Sequence, residues 1–279
     1  MSFGNIRVSA PVRSIVGVAW LAMAFLLSCA TTGPGGKQSL ILIPTSQEVA
    51  IGAGMAEQVE ATEQVLDDPS WQAYVDEVGQ KIVSVCDRRD LDYHFRVIRS
   101  DQVNAFAAPG GYIYLYTGLL ETMETEAEMA SVIAHEISHV VARHSVKRLQ
   151  AALGVAVAYE LALGGEEANK VLQTAVNVGL TLAFAQYSQS NEREADLYGI
   201  DYMVQAGYDP NGALGMFNKL AALGGSGSTD VFEMLARSHP ETEERIANAQ
   251  AQISRMGNIS GRHLVSNQTH YRTMKARLK

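Results

Sequence analysis

The sequence is poor in cysteine. Two in 279 residues, at positions 29 and 86, exclude a disulfide framework. It has no basic excess either: net charge is −8, and its 22 Lys and Arg residues are scattered rather than gathered in one stretch. Binding phosphates needs a basic face, so nucleic acid is excluded as a partner class. No apolar run reaches the roughly eighteen residues that a membrane-spanning helix requires. No segment repeats, and no glycine loop of the nucleotide-binding type occurs. With 47% hydrophobic residues, the chain can build one good-sized core, or a core with an appendage.

What is present begins with a targeting signal. Arg7 and Arg13 form a positive region with no acidic residue before Glu48, and an apolar run follows from Ile15 to Leu27. The run suits a signal peptide and is too short to span a bilayer. Its end, Leu26-Leu27-Ser28-Cys29, resembles a bacterial lipobox. On that reading residues 1–28 are removed, Cys29 is lipidated and anchors the chain to a membrane, and residues 29–44 are a tether, flexible where Gly and Pro are dense. The alternative is an ordinary signal peptide with an incidental cysteine. Ala30 stands where an aspartate would signal inner-membrane retention, so the resemblance favours an outer-membrane anchor in the periplasm. Cys86, in a helical pattern, reads as packing.

The informative stretch is Met129 to Arg143. Val132, Ile133, Ile137, Val140 and Val141 recur at helical spacing, and His135, Glu136 and His139 interrupt them. Residues four apart stack on one helix face, so His135 and His139 can grip one metal ion, with Glu136 beside them to take a proton from water. A core helix gains nothing from burying two imidazoles and a carboxylate unless a cation neutralises them. A hydrolytic site of this kind needs a third protein ligand from elsewhere. Glu192 and Asp196 share a helix face at the same spacing. Either can bind the metal while the other accepts the spare N–H of a ligand histidine, or both belong to a solvated acidic face.

The rest of the chain reads as mostly helix with a small sheet. Helices are expected over Thr45–Leu66, from Pro69 with Trp71, Val75, Val78 and Ile82 inward, over Thr117–Met123, and from a capping pattern at Thr125. A strand is expected over Leu91–Ile98, then a hairpin over Val103–Tyr116 around Pro109-Gly110-Gly111. An exposed hairpin strand can pair with an extended peptide, which makes Asn104, Ala105, Phe106, Gly110 and Gly111 candidate substrate-binding residues. The other reading is sheet packing of the Tyr stripe. Ser145–Ala185 reads as two helices broken at Gly164-Gly165 and packed on the protein rather than crossing a membrane. Further helices run to about Gln205 and from Asp209-Pro210 to Leu223, with a flexible break from Gly224 to Ser228. His239 falls on a loop before Pro240, either as a surface histidine or as part of a site. The folded domain is expected over 45–256, with a basic, weakly ordered tail over 257–279.

Four pieces in order carry a resemblance: Val103-Asn104-Ala105-Phe106-Ala107 with Pro109-Gly110-Gly111, then His135-Glu136-Ile137-Ser138-His139, then Asn191-Glu192-Arg193-Glu194-Ala195-Asp196, then Ser238-His239-Pro240. Together they resemble zinc metallopeptidase family 48, the HtpX and CaaX prenyl protease family, in its short periplasmic lipoprotein form. The resemblance implies an α+β, mostly α, zincin-like (gluzincin) domain binding one Zn2+. It implies His135, His139 and Glu192 as ligands, Glu136 as the catalytic carboxylate and Asp196 as partner of a ligand histidine. His239 matches a histidine that can approach the metal and hold the enzyme latent. The oxyanion stabiliser stays open among His239, Arg193 and Arg245. Two functions follow. One is an endopeptidase for unfolded or misassembled envelope proteins; the other is a mainly non-proteolytic assembly factor with a latent zinc site.

Overall fold

A three-stranded sheet separates two hydrophobic cores, and the helix carrying His135 and His139 forms the centre of the larger one. The computed structural model describes residues 29–31, 38–163, 168–225, 239, 243–257 and 264–278. The signal segment, the Gly- and Pro-rich stretch 32–37 and most of the expected break after Gly224 lie outside the described residues.

Helix α1 spans Thr45–Thr62 and α2 spans Pro69–Val83. Asp68 caps α2 by accepting from the amides of Ser70 and Trp71, and Pro69 takes the first turn, where no amide is needed. Strands β3 (His94–Ile98), β4 (Ala105–Ala108) and β5 (Tyr112–Tyr116) lie in the order β3-β5-β4. β5 is parallel to β3 and antiparallel to β4, which it meets through the Pro109–Gly111 turn. Gly110 and Gly111 have φ of 77° and 95° there, a conformation that side chains resist. Successive strand residues face opposite ways. Ala105, Ala107, Ile113 and Leu115 therefore enter the larger core, and Phe106, Ala108, Tyr114 and Tyr116 the smaller. The Tyr stripe is packing. Phe106 stacks on Tyr114 at 4.9 Å between ring centres.

After α3 (Thr117–Thr122) comes α4, Glu126–Val141. The Thr125 hydroxyl accepts from the Glu128 amide at 3.1 Å, as the capping pattern predicts. Met129, Ile133, Ile137, Val140 and Val141 pack into the larger core with α2, α7 (Gln189–Gln205) and α8 (Asn211–Gly225). At Gly199 α7 comes so close to α4 that an added Cβ would lie 3.1 Å from the His135 amide nitrogen. Helices α5 (His144–Leu163), which breaks at Gly154 with φ 79°, and α6 (Ala168–Ala183) cover the smaller core, and the expected break at Gly164-Gly165 lies outside the described residues. No helix among the described residues is long and apolar enough to cross a membrane.

Besides shifts of one to three residues, such as the strand starting at His94 rather than Leu91, the structure departs from the sequence reading in three places. α1 stops at Thr62 rather than Leu66, because Glu63 turns extended and Val65 bridges to Ile98. The expected tether is partly domain: β2 (Gln38–Leu40) pairs with β1 (Cys29–Thr31), and Ile41 and Ile43 are buried in the smaller core. The tail is ordered over its last part. After α9 (Glu243–Arg255), α10 (Gln268–Lys275) buries Tyr271 and Met274, and Leu278 is buried just beyond its end. The indole of Trp71 donates to the Met274 carbonyl at 3.1 Å, and the Tyr271 hydroxyl to the Leu120 carbonyl at 2.7 Å. Three apolar residues at helical spacing suffice to dock a segment whose other positions are polar. Cys86 is buried as expected, but in the turn after α2.

A buried ion cluster closes the far end of α4. Glu48 of α1 accepts from Arg88 through two nitrogens at 2.8 Å each, and lies 2.7 Å from Arg143. Arg143 sits just past α4 at φ 54°, where glycine is usual. Its Nη2 also donates to the Ile43 carbonyl at 2.8 Å. That left-handed residue reverses the chain, so His144 opens α5 beside the helix it has just left.

Candidate metal centre

One helical turn separates His135 from His139, and their Nε2 atoms lie 3.1 Å apart. Glu192 rises from the first turn of α7, which Ser188 starts by accepting from the Asn191 amide. Its carboxylate is 3.6 Å from His135 Nε2 and 3.5 Å from His139 Nε2. His239 completes the group from outside these helices. Its Nδ1 lies 3.0 Å from Glu192 Oε1 and 3.3 Å from His135 Nε2. His139, Glu192 and His239 are buried and His135 nearly so.

Four donors so placed fit a small cation. A tetrahedral site with bonds of about 2.0–2.1 Å spaces its donor atoms about 3.3–3.4 Å apart, which the separations here bracket. Two imidazoles, a carboxylate and a third imidazole are the donor types a borderline metal takes. Two buried atoms beside the group, Glu136 Oε2 and His239 Nε2, have no hydrogen-bond partner among the described residues. Glu136 Oε1 is 3.6 Å from His239 Nε2.

The surrounding charges orient this set. His135 Nδ1 lies 3.0 Å from Asp196 Oδ1, so the ring donates there and presents Nε2 to the cluster. Arg245 donates to both oxygens of Asp196 at 2.7 Å and lies 3.0 Å from Glu192. Burial alone would raise the pKa of Asp196, yet the Arg245 and His135 hydrogen bonds hold it below the usual carboxylate range. Glu192 is lowered further: the histidines, His239 first, outweigh its burial. Burial pushes the His139 imidazole well below its ordinary value and lowers His144 too. At His135 burial is outweighed by Asp196 and Glu192, and the pKa rises. The Tyr187 ring stacks on His139 at 4.1 Å between centres, and burial raises its hydroxyl to about 12.

Sequence reasoning placed His135, Glu136, His139, Glu192, Asp196 and His239, and the fold gathers all six. It brings only part of the hairpin. Ala105 borders the cavity beside the cluster, while Asn104 and Phe106 are buried in packing. Gly110 and Gly111 pack against Glu48–Val49 and Asp92–Tyr93 instead. Arg193 is half exposed and bound to Glu244, 3.0 Å away. Arg245 is bound to two carboxylates and also borders the cavity beside the cluster. His144, Glu194 and Tyr187 were not anticipated as site residues. The one available signal was a histidine five residues past the motif.

The cavity has a volume of about 550 Å³, its open mouth included, and shares His135, Glu136 and His239 with the cluster. Its wall is apolar: Leu119, Val132, Ile200, Met203, Met216 and Phe217.

Comparison with known proteins agrees with this geometry. Residues 69–253 match the profile of peptidase family M48. The beta-barrel assembly-enhancing protease of Escherichia coli strain K12 is 28% identical over 247 residues, 86% of this chain and 50% of that protein. Metalloprotease LoiP of the same strain is 36% identical over 166 residues, 59% of this chain and 64% of LoiP. The mitochondrial metalloendopeptidase OMA1 of Schizosaccharomyces pombe is 36% identical over 179 residues, 62% of this chain and 50% of that protein. The chain thus spans about half the length of the beta-barrel assembly-enhancing protease it matches. The family match covers more than half of the sequence, and the mostly helical α+β fold holds a His–Glu cluster where a zincin-like domain needs one: the chain belongs to peptidase family M48 and carries its metalloprotease domain.

Proposed function

We propose that the protein is a zinc endopeptidase of the bacterial envelope, anchored in the periplasm to the outer membrane through a lipid on Cys29. Its substrates are unfolded or misassembled envelope polypeptides. The carrying observation is the convergence of His135, His139 and Glu192 beside a Glu136 whose Oε2 has no hydrogen-bond partner among the described residues. His135, His139 and Glu192 would hold the ion and Asp196 would orient His135. A zinc ion held there would bring the pKa of a water down to about 7 and polarise a carbonyl. Glu136 takes the proton from the attacking water and returns it to the amine nitrogen as the C–N bond breaks. The apolar cavity beside Glu136, with Ala105 at its border, would receive a substrate side chain. The name of the beta-barrel assembly-enhancing relative supports an envelope substrate for this chain.

A second reading has one observation in its favour. His239 Nδ1 stands 3.0 Å from Glu192 and 3.3 Å from His135, where a fourth ligand would sit. A four-ligand site is closed, as in structural zinc sites, and such a protein would act in assembly with its peptidase latent.

The test is casein cleavage by the full chain and by Glu136→Gln, with zinc measured in both. Acid–base work of this type contributes about 10²–10⁴ in rate. Glu136→Gln should lose cleavage by that factor and keep one zinc. Cleavage unchanged in Glu136→Gln would refute the assignment of the base.

A further inference from the structure

A carboxylate two bonds removed from the cluster fixes which nitrogen His139 offers to it. His139 Nδ1 lies 2.8 Å from His144 Nδ1, and His144 Nε2 lies 3.2 Å from Glu194 Oε2. Both imidazoles are buried, at 0% and 1% exposure, so water does not supply alternative partners. Two facing ring nitrogens at 2.8 Å share a single proton, and the question is which ring carries it. Glu194 answers it. In a contact between an imidazole nitrogen and a carboxylate oxygen the ring N–H donates, so His144 carries its proton on Nε2. A neutral ring protonated there leaves Nδ1 bare, and a bare Nδ1 must accept. His139 therefore donates from Nδ1, and its Nε2 is left as a lone pair facing His135 and Glu192.

From this we infer that His144 and Glu194 are positioning residues that hold His139 in its metal-presenting tautomer. The inference rests on His139 being a ligand, as read above. It gives the two histidines of the motif the same device at different lengths. His135 meets a carboxylate directly, Asp196 at 3.0 Å. His139 meets one through an intervening imidazole. The relay depends on the reversal at Arg143, whose left-handed backbone brings residue 144 back beside residue 139. Tyr187 closes the other face of His139 by stacking, so the ring has one orientation as well as one tautomer.

Two measurements on the full chain test it. In the metal-free protein, long-range ¹H–¹⁵N correlation spectra should show His144 as the Nε2–H tautomer and His139 as the Nδ1–H tautomer. His139 found as Nε2–H would overturn the inference, whatever the protein does with zinc. Zinc affinity, by competition with a chelating dye, is the second readout. Losing a partner of this kind typically costs 10–100-fold in metal affinity. His144→Ala should show that loss, while His144→Asn, whose Oδ1 stands where Nδ1 stood, should stay within a few-fold of wild type. Equal affinities for wild type, His144→Ala and His144→Asn would sink the relay and leave the metal reading standing. Wild type that binds no zinc would remove both. Thermal melts of the metal-free variants separate a fold defect from a positioning one. If His144→Asn melts and binds as poorly as His144→Ala, the role is packing and the inference fails.

Discussion

Arg245 grips Asp196 with two nitrogens, Nε to Oδ2 and Nη2 to Oδ1, both at 2.7 Å. Its third nitrogen reaches Glu192 at 3.0 Å. One cation from α9 thus offsets two buried carboxylates of α7. Removing one member of a buried pair leaves an uncompensated charge and costs about 3–5 kcal/mol. Arg245→Met should lower the urea-unfolding free energy of the metal-free chain by that order. Arg245→Lys should recover only part, because a point charge cannot meet the planar fork of contacts.

His239 should restrain activity rather than supply it. It occupies the place beside Glu192 and His135 where a water or substrate oxygen would enter. His239→Ala leaves His135, His139 and Glu192, so zinc should stay bound while casein cleavage rises several-fold. Unchanged cleavage with zinc retained would show that His239 is not the restraint.

Glu48 should matter for folding and not for chemistry. It is the buried carboxylate between Arg88 and Arg143, which it meets at 2.8 and 2.7 Å, while the exposed Asp90 lies 3.7 Å from Arg88. Glu48→Ala strands two buried guanidiniums and should cost about 3–5 kcal/mol in chemical denaturation. The turnover of whatever fraction remains folded should match wild type.

Stability of the metal-free chain should fall on the acid side of neutrality. His139 and His144 have pKa values lowered by burial, so the unfolded chain binds their protons first, beginning below about 6.5. His135 is raised and works in the opposite sense, but it is one against two. Asp196 and Glu192 are lowered, and their contribution is lost further down, below about 4. Melting temperature should hold or rise slightly from pH 8 to about 6.5, where His135 takes up its proton, and then decline to pH 4. A melting temperature unchanged from pH 6.5 to pH 4 would overturn this.

Much of this was legible before any coordinates. His135 and His139 could be paired because helical spacing is a local property, and Thr125 could be assigned because a cap needs only the next three residues. Glu192 and Asp196 could be placed on one face, but only the family pattern decided between them. His144 was invisible for a physical reason. Its nearness to His139 depends on one left-handed residue, Arg143, and an arginine gives no warning of that conformation. Arg245 carried charge but no sign of its partners, since Asp196 lies 49 positions away. The last helix was missed because Tyr271, Met274 and Leu278 are too few to stand out among basic and polar neighbours, although their spacing is helical.

At Gly199 two backbones nearly touch, and an added Cβ would stand 3.1 Å from the nitrogen and 3.2 Å from the Cα of His135. Such a methyl would wedge α7 away from α4 by a few tenths of an ångström. The two helices that carry Glu192 and the histidine pair are therefore gauged by main chain rather than by side-chain fit. A single hydrogen atom at position 199 is what lets them meet.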